Sequence, residues 1–214
     1  MTLTRPSAHK TAIPQYVSEQ DYLDVWAEQH YEWVNGELIA LSPARIIHNR
    51  HVDYLRDLLR AYLVLRPIGE LFSEPTPLRL SSSTYREPDL MLVLNEGSVG
   101  RLTDTAVIGA ADLCIEVVSP ESTKRDYAIK RGEYERAGVR EYWIIDSDRA
   151  TAVFNRLADD GRYVVIDPDA SETYTTPLLP GLRLHVPTLW TVPLPNMMQV
   201  IESVRGMLNE EDTP

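Results

Sequence analysis

The chain has 214 residues, 43% apolar and 25% charged, the composition of an ordinary globular protein with one well-filled core rather than two independent domains. No apolar run approaches the ~20 residues of a spanning helix, the polar, proline-bearing N-terminus (Pro6, Pro14) lacks a signal-peptide apolar region, and the single Cys114 excludes an internal disulfide and a cysteine-based zinc site. These features predict a cytoplasmic protein without membrane association, and the net charge of −11 opposes a polyanionic partner unless basic residues are gathered on one face.

Residues 1–17 read as a flexible arm, 18–195 as the folded domain, and 196–214 as a terminal helix with an acidic tail. Ser18, with Asp21 three positions on, opens a helix whose apolar side is Leu23, Val25 and Trp26. Strand-like runs Tyr31–Val34 and Glu37–Leu41 flank Asn35-Gly36, the pair suited to the two positive-φ positions of a type I′ hairpin, and Ser42-Pro43 ends the unit. From Ile46 to Leu65, Leu55, Leu58, Leu59, Tyr62 and Leu63 recur at helical steps. Five arginines (45, 50, 56, 60 and 66) stand against two aspartates over 45–66, a candidate basic face for a phosphate backbone or simply a solvated side.

Short strands are expected at Glu70–Ser73 and Pro77–Leu80, then a polar turn over Ser81–Tyr85, a strand at Asp89–Leu94, a loop, and a strand at Asp112–Val118. Ser119-Pro120 breaks that strand, a helix runs from Thr123 to Ala137, and Gly138 suits the left-handed residue that closes it. Strands follow at Glu141–Asp146, Thr151–Arg156, Arg162–Ile166 and Leu182–Val186, with a turn at Asp159-Asp160-Gly161. Met197, Val200, Ile201 and Val204 at helical spacing give the last helix a face to dock on the body or on a second subunit. The pattern predicts an α/β (α+β) protein whose mixed sheet is flanked by helices.

Glu116 is the anomaly, a carboxylate in the apolar run Leu113–Val118 that reads as a strand buried on both faces. Burying an isolated carboxylate costs many kcal/mol unless it is paired, protonated or metal-bound. Asp89, after Pro88 at a strand mouth, is the second such acid. Two strands with one carboxylate each would suit Mg²⁺ (or Mn²⁺), which takes one or two carboxylates plus water and phosphate oxygens. Asp126, Lys130 and Tyr134 stand at i, i+4 and i+8 on one helical face, so Lys130 could orient or deprotonate a water, or offset phosphate charge. The plainer account is an Asp at a turn and a Glu tied to Arg125 or Lys130. His9, His30, His51 and His185 form no metal-ligand spacing on a helix, and His48 and His51 lack a third ligand.

Several pieces in order resemble the Uma-type putative restriction endonuclease family of the PD-(D/E)XK superfamily: Tyr31 to Leu38, Ser42-Pro43 with His48, Pro88-Asp89-Leu90, Leu113 to Pro120, Asp126 with Lys130 and Tyr134, and Gly138 to Asp146. The resemblance implies a restriction endonuclease-like core, an acid pair Asp89 and Glu116, an auxiliary acid Glu37 and a site-adjacent His48. Val118 stands where the superfamily's lysine usually lies, so the lysine implied is Lys130, migrated to the following helix. The function implied is Mg-dependent endonuclease cleavage of DNA by a metal-activated water, with a homodimer expected by analogy. The alternative is a non-catalytic binding or assembly protein that keeps the nuclease fold.

Overall fold

The structure is a computed structural model that describes residues 13–42 and 44–211. Most of the expected N-terminal arm (residues 1–12), Pro43 and the last three residues of the expected acidic tail (212–214) lie outside the described residues.

The first helix among the described residues, α1 (Glu19–Asp21), widens into a π-wound turn over Tyr22–Trp26 and tightens into a 3₁₀ turn over Ala27–Gln29. Ser18 caps it as expected, accepting the Asp21 N–H at 3.1 Å. The buried side differs from the α-helical expectation. The wider winding turns Tyr22, Trp26 and Ala27 inward and leaves Val25 49% exposed.

Strands β1 (Tyr31–Val34) and β2 (Glu37–Ala40) form the predicted hairpin, with Asn35 at φ 51° and Gly36 at φ 88°. Helix α2 spans Ile46–Leu65, as its periodicity requires. Then come β3 (Gly69–Ser73), β4 (Leu78–Ser81), β5 (Thr84–Arg86), β6 (Leu90–Leu94), β7 (Val107–Ile108) and β8 (Leu113–Val117). A second π-wound segment, Arg125–Lys130, leads into α3 (Arg131–Ala137), closed by Gly138 at φ 86°. The remainder is β9 (Glu141–Asp146), β10 (Thr151–Leu157), β11 (Tyr163–Val165), β12 (Thr173–Thr175), β13 (Arg183–His185), a 3₁₀ turn over Val186–Trp190, and α4 (Met197–Glu211).

The central sheet has the order β11-β10-β9-β8-β6-β3, antiparallel except for the parallel pair β8–β9, which the helical crossover 125–137 connects. A smaller sheet, β2-β1-β5-β4-β7, stands beside it. One face of the central sheet, carrying Leu90, Leu92, Leu113, Ile115, Trp143 and Ile145, packs on Leu55, Leu58, Leu59 and Tyr62 of α2 and on Val200, Val204 and Leu208 of α4. The last helix thus docks on the body of its own chain. The other face, with Met91, Val93, Cys114, Tyr142 and Ile144, packs on Tyr134 of α3 and on Leu78 and Val107 of the smaller sheet. Strand β8 is therefore covered on both sides, and all five of its residues are buried. By strand alternation Glu116 belongs to the face of Cys114 and Val118.

Candidate active site

The register places the two acids together. Strands β6 and β8 are antiparallel, with Leu90 opposite Ile115 and Met91 opposite Cys114. Continuing that register by one residue, past the end of β6, sets Asp89 across from Glu116. Asp89 is fixed there by its Oδ2, which accepts the Val117 N–H at 2.6 Å. Both acids line an open cleft of about 600 Å³, together with His48, Arg125, Asp126 and Lys130.

Lys130 and Tyr134 reach the same carboxylate from the crossover. Lys130 Nζ donates to Glu116 Oε1 at 2.7 Å, and the Tyr134 hydroxyl donates to that same oxygen at 2.9 Å. The π-wound segment does not spoil the predicted alignment of Asp126, Lys130 and Tyr134. Four residues fall short of one wide π turn and overshoot one α turn, so the two departures offset each other. Ser122 donates to Asp126 Oδ2, while Asp126 Oδ1 is buried without a hydrogen bond, with Arg125 Nε 4.0 Å away.

Two residues that sequence reasoning passed over complete the network. Glu32 of β1 is fully buried, and its Oε1 lies 2.8 Å from Lys130 Nζ. Arg86 of β5 donates to Glu32 Oε2 at 2.7 Å and grips Glu133 of α3 through Nε and Nη2. The only sequence signal for Glu32 is its place between Tyr31 and Trp33. The predicted auxiliary acid, Glu37, is exposed on the far strand of the hairpin and does not line the cleft. Glu37 lies opposite Val34 on the same face of the hairpin as Glu32, but on the edge strand β2 beside the turn, where it is exposed, whereas Glu32, on β1 between β2 and β5, is buried.

Charge within the cluster is unevenly matched. Burial raises the Glu116 pKa beyond what Lys130 lowers it, with Asp126, Asp89 and Glu32 adding repulsion, and it is pushed up to about 8. Burial likewise holds Asp126 above its ordinary value. Burial works against the Lys130 ammonium, yet the surrounding Glu116, Glu32 and Asp126 hold its proton more tightly than in a free lysine. Glu32 goes the other way: burial raises it, but Lys130 and Arg86 together prevail and lower it. His48 Nε2 stands 3.2 Å from Asp89 Oδ1, and that partnership outweighs burial and raises the imidazole pKa. His51, by contrast, is spent on the carbonyls of Ile47 and Leu189.

The donor set fits a hard divalent cation. Asp89 and Glu116 present oxygen donors only, as a hard cation requires, and carboxyl groups outnumber Lys130 and the arginines that line the cleft. The arginines of α2 do not form one basic face. Arg56 lines the cleft and is paired with Asp53 at 2.7 Å, Arg45 reaches Asp148 at 2.8 Å, and Arg50 turns away toward Tyr54 and residues 191–195.

Comparison with known proteins agrees with this architecture. The Uma2 family, described as "Putative restriction endonuclease", matches residues 19–187. A solved chain described as a putative nuclease belonging to DUF820, from Anabaena variabilis ATCC 29413, superposes with a TM-score of 0.65 at 18% identity. The alignment covers 80% of this chain and 96% of that one. At that identity the likeness establishes the fold alone. No curated protein matches the sequence.

Proposed function

Because this chain belongs to the Uma2 family of putative restriction endonucleases, we propose that it is a divalent-metal-dependent nuclease that hydrolyses phosphodiester bonds in DNA. The observation that carries the reading is the meeting of Asp89, Glu116 and Lys130 in one open cleft, lined by more carboxyl groups than cationic groups. Asp89 and Glu116 would hold the cation, Mg²⁺ or Mn²⁺. When bound, the cation lowers the pKa of a water and stabilises negative charge on the phosphoryl oxygens.

The chain's own groups prepare that chemistry. Lys130 and Tyr134 pin one oxygen of Glu116 and so orient its carboxylate, while the Val117 N–H does the same for Asp89. Lys130 holds its proton too tightly for a general base, so it serves as a donor that positions Glu116 and offsets charge at the floor of the cleft. His48, leaning on Asp89, adds a second donor whose protonation is favoured. Glu32 and Arg86 hold Lys130 in place from behind.

The test is cleavage of supercoiled plasmid by the purified chain with Mg²⁺ or Mn²⁺. Asp89→Asn and Glu116→Gln keep shape and remove charge. Each is expected to cut the rate by about 100-fold or more, since even loss of a residue that merely orients a ligand costs roughly 10–100-fold. Unchanged cleavage in either variant overturns the assignment. The full burial of Lys130 between two carboxylates favours a second reading, a non-catalytic binding protein in which these groups only support the fold. That reading requires no cleavage by the wild type and metal-independent melting of all variants.

A further inference from the structure

We propose that His30, Glu74 and Glu87 form a second divalent-cation site, for zinc or manganese, in the same cleft as the acid pair but sharing no ligand with it. One ligand atom from each of the three lies within 4.8 Å of the other two. His30 Nδ1 and Glu74 Oε1 are already 2.7 Å apart. The third member supplies an independent sign of a missing partner. Glu87 is 1% exposed, its Oε1 accepts the Tyr22 hydroxyl at 3.1 Å, and its Oε2 is buried with no hydrogen bond. Interior carboxylate oxygens are ordinarily satisfied, and a cation held between Glu87 and its two neighbours would satisfy this one.

The donor chemistry selects the ion. One imidazole nitrogen with two carboxylates is a mixed set that suits zinc or manganese, whereas magnesium prefers oxygen donors alone. Around zinc, with bonds of ~2.0–2.2 Å, ligand atoms stand roughly 3.4 Å apart. The His30–Glu74 contact therefore opens slightly on binding while Glu87 closes in. His30 and Glu74 are free to make that adjustment, because their side chains are 59% and 30% exposed. Local order also explains why spacing along the chain hid the group. His30 ends the 3₁₀ turn in the left-handed region at φ 60°, Glu74 follows β3, and Glu87 follows β5.

The inference stands apart from the nuclease reading and is tested in a background without the acid pair. Zinc chloride is titrated calorimetrically into the full chain carrying Asp89→Asn and Glu116→Gln. One zinc ion per chain is expected to bind, and adding His30→Asn or Glu74→Gln is expected to weaken it at least tenfold. Both changes fall on exposed side chains, and asparagine tolerates the left-handed backbone at position 30. Absence of zinc binding in the acid-pair background, or equal affinity after both added changes, overturns the site and leaves His30–Glu74 an ordinary surface ion pair. Loss of plasmid cleavage with zinc binding intact would bear on Asp89 and Glu116 only.

Discussion

Lys130 Nζ lies 2.7 Å from Glu116 and 2.8 Å from Glu32, and 2% of its side chain is exposed. Lys130→Met should therefore strand two interior carboxylates, lowering stability by on the order of 3–5 kcal/mol in denaturant unfolding near neutral pH. Glu32→Gln should cost a similar amount there, and its pH dependence is the sharper check. The folded pKa of Glu32 lies below its unfolded value, so its contribution is present above the ordinary carboxylate range and disappears as pH falls through the depressed folded value. The gap between wild type and Glu32→Gln should thus be widest near neutrality and close in acid. A gap that stays constant or widens on acidification would contradict the ion-pair account. At this scale the sequence reveals Glu116, because a charge inside an apolar strand needs a reason. It hardly reveals Glu32, marked only by its aromatic neighbours Tyr31 and Trp33, or Arg86, and the partners of both come from distant segments.

Among the elements, legibility follows length and periodicity. Helix α2 and strands β1, β2 and β9 are readable because a repeated apolar period or a glycine-bearing turn marks their limits. Strand β5 is three residues long beside a serine-rich stretch, so its first two residues read as part of the Ser81–Tyr85 turn, although pairing with β1 and β4 makes it the middle strand of the smaller sheet. The π-wound segments are invisible to a 3.6-residue template. Gly138 shows how a single position can close an element: it adopts φ 86°, and a Cβ there would meet no neighbour. The cost of Gly138→Ala is then purely conformational, about 1–2 kcal/mol in urea unfolding, with Gly138→Asn less costly. An unchanged midpoint in Gly138→Ala would show that the left-handed closure is not needed.

Across the whole molecule, the net charge of −11 means that the DNA contact proposed above would be local and sensitive to salt. Only part of the arginine-rich helix faces the cleft, with Arg56 at its wall and Arg50 on another side. Arg56→Ala should reduce the slope of log affinity against log salt by about 0.9, one phosphate contact on duplex DNA, and Arg50→Ala should leave it unaltered. Fluorescence anisotropy with a short duplex over a salt series measures both, and equal slopes for the two variants would refute a directional interface. The α/β class and the two-sided cover of β8 were legible from hydrophobic patterning. The standing of the smaller sheet against the crossover helix was not, because it depends on long-range pairs such as Arg86 with Glu133.

Those long-range pairs also bear on how far one sheet can loosen without the other. The run Arg86, Glu32, Lys130, Glu116 passes from the smaller sheet through the crossover to the central sheet. A molecule whose smaller sheet came loose would keep the Lys130 and Tyr134 contacts to Glu116 but lose the carboxylate on the lysine's other side. Loosening one layer therefore leaves a buried cation short of a partner in the other, so the two sheets are expected to melt in one transition.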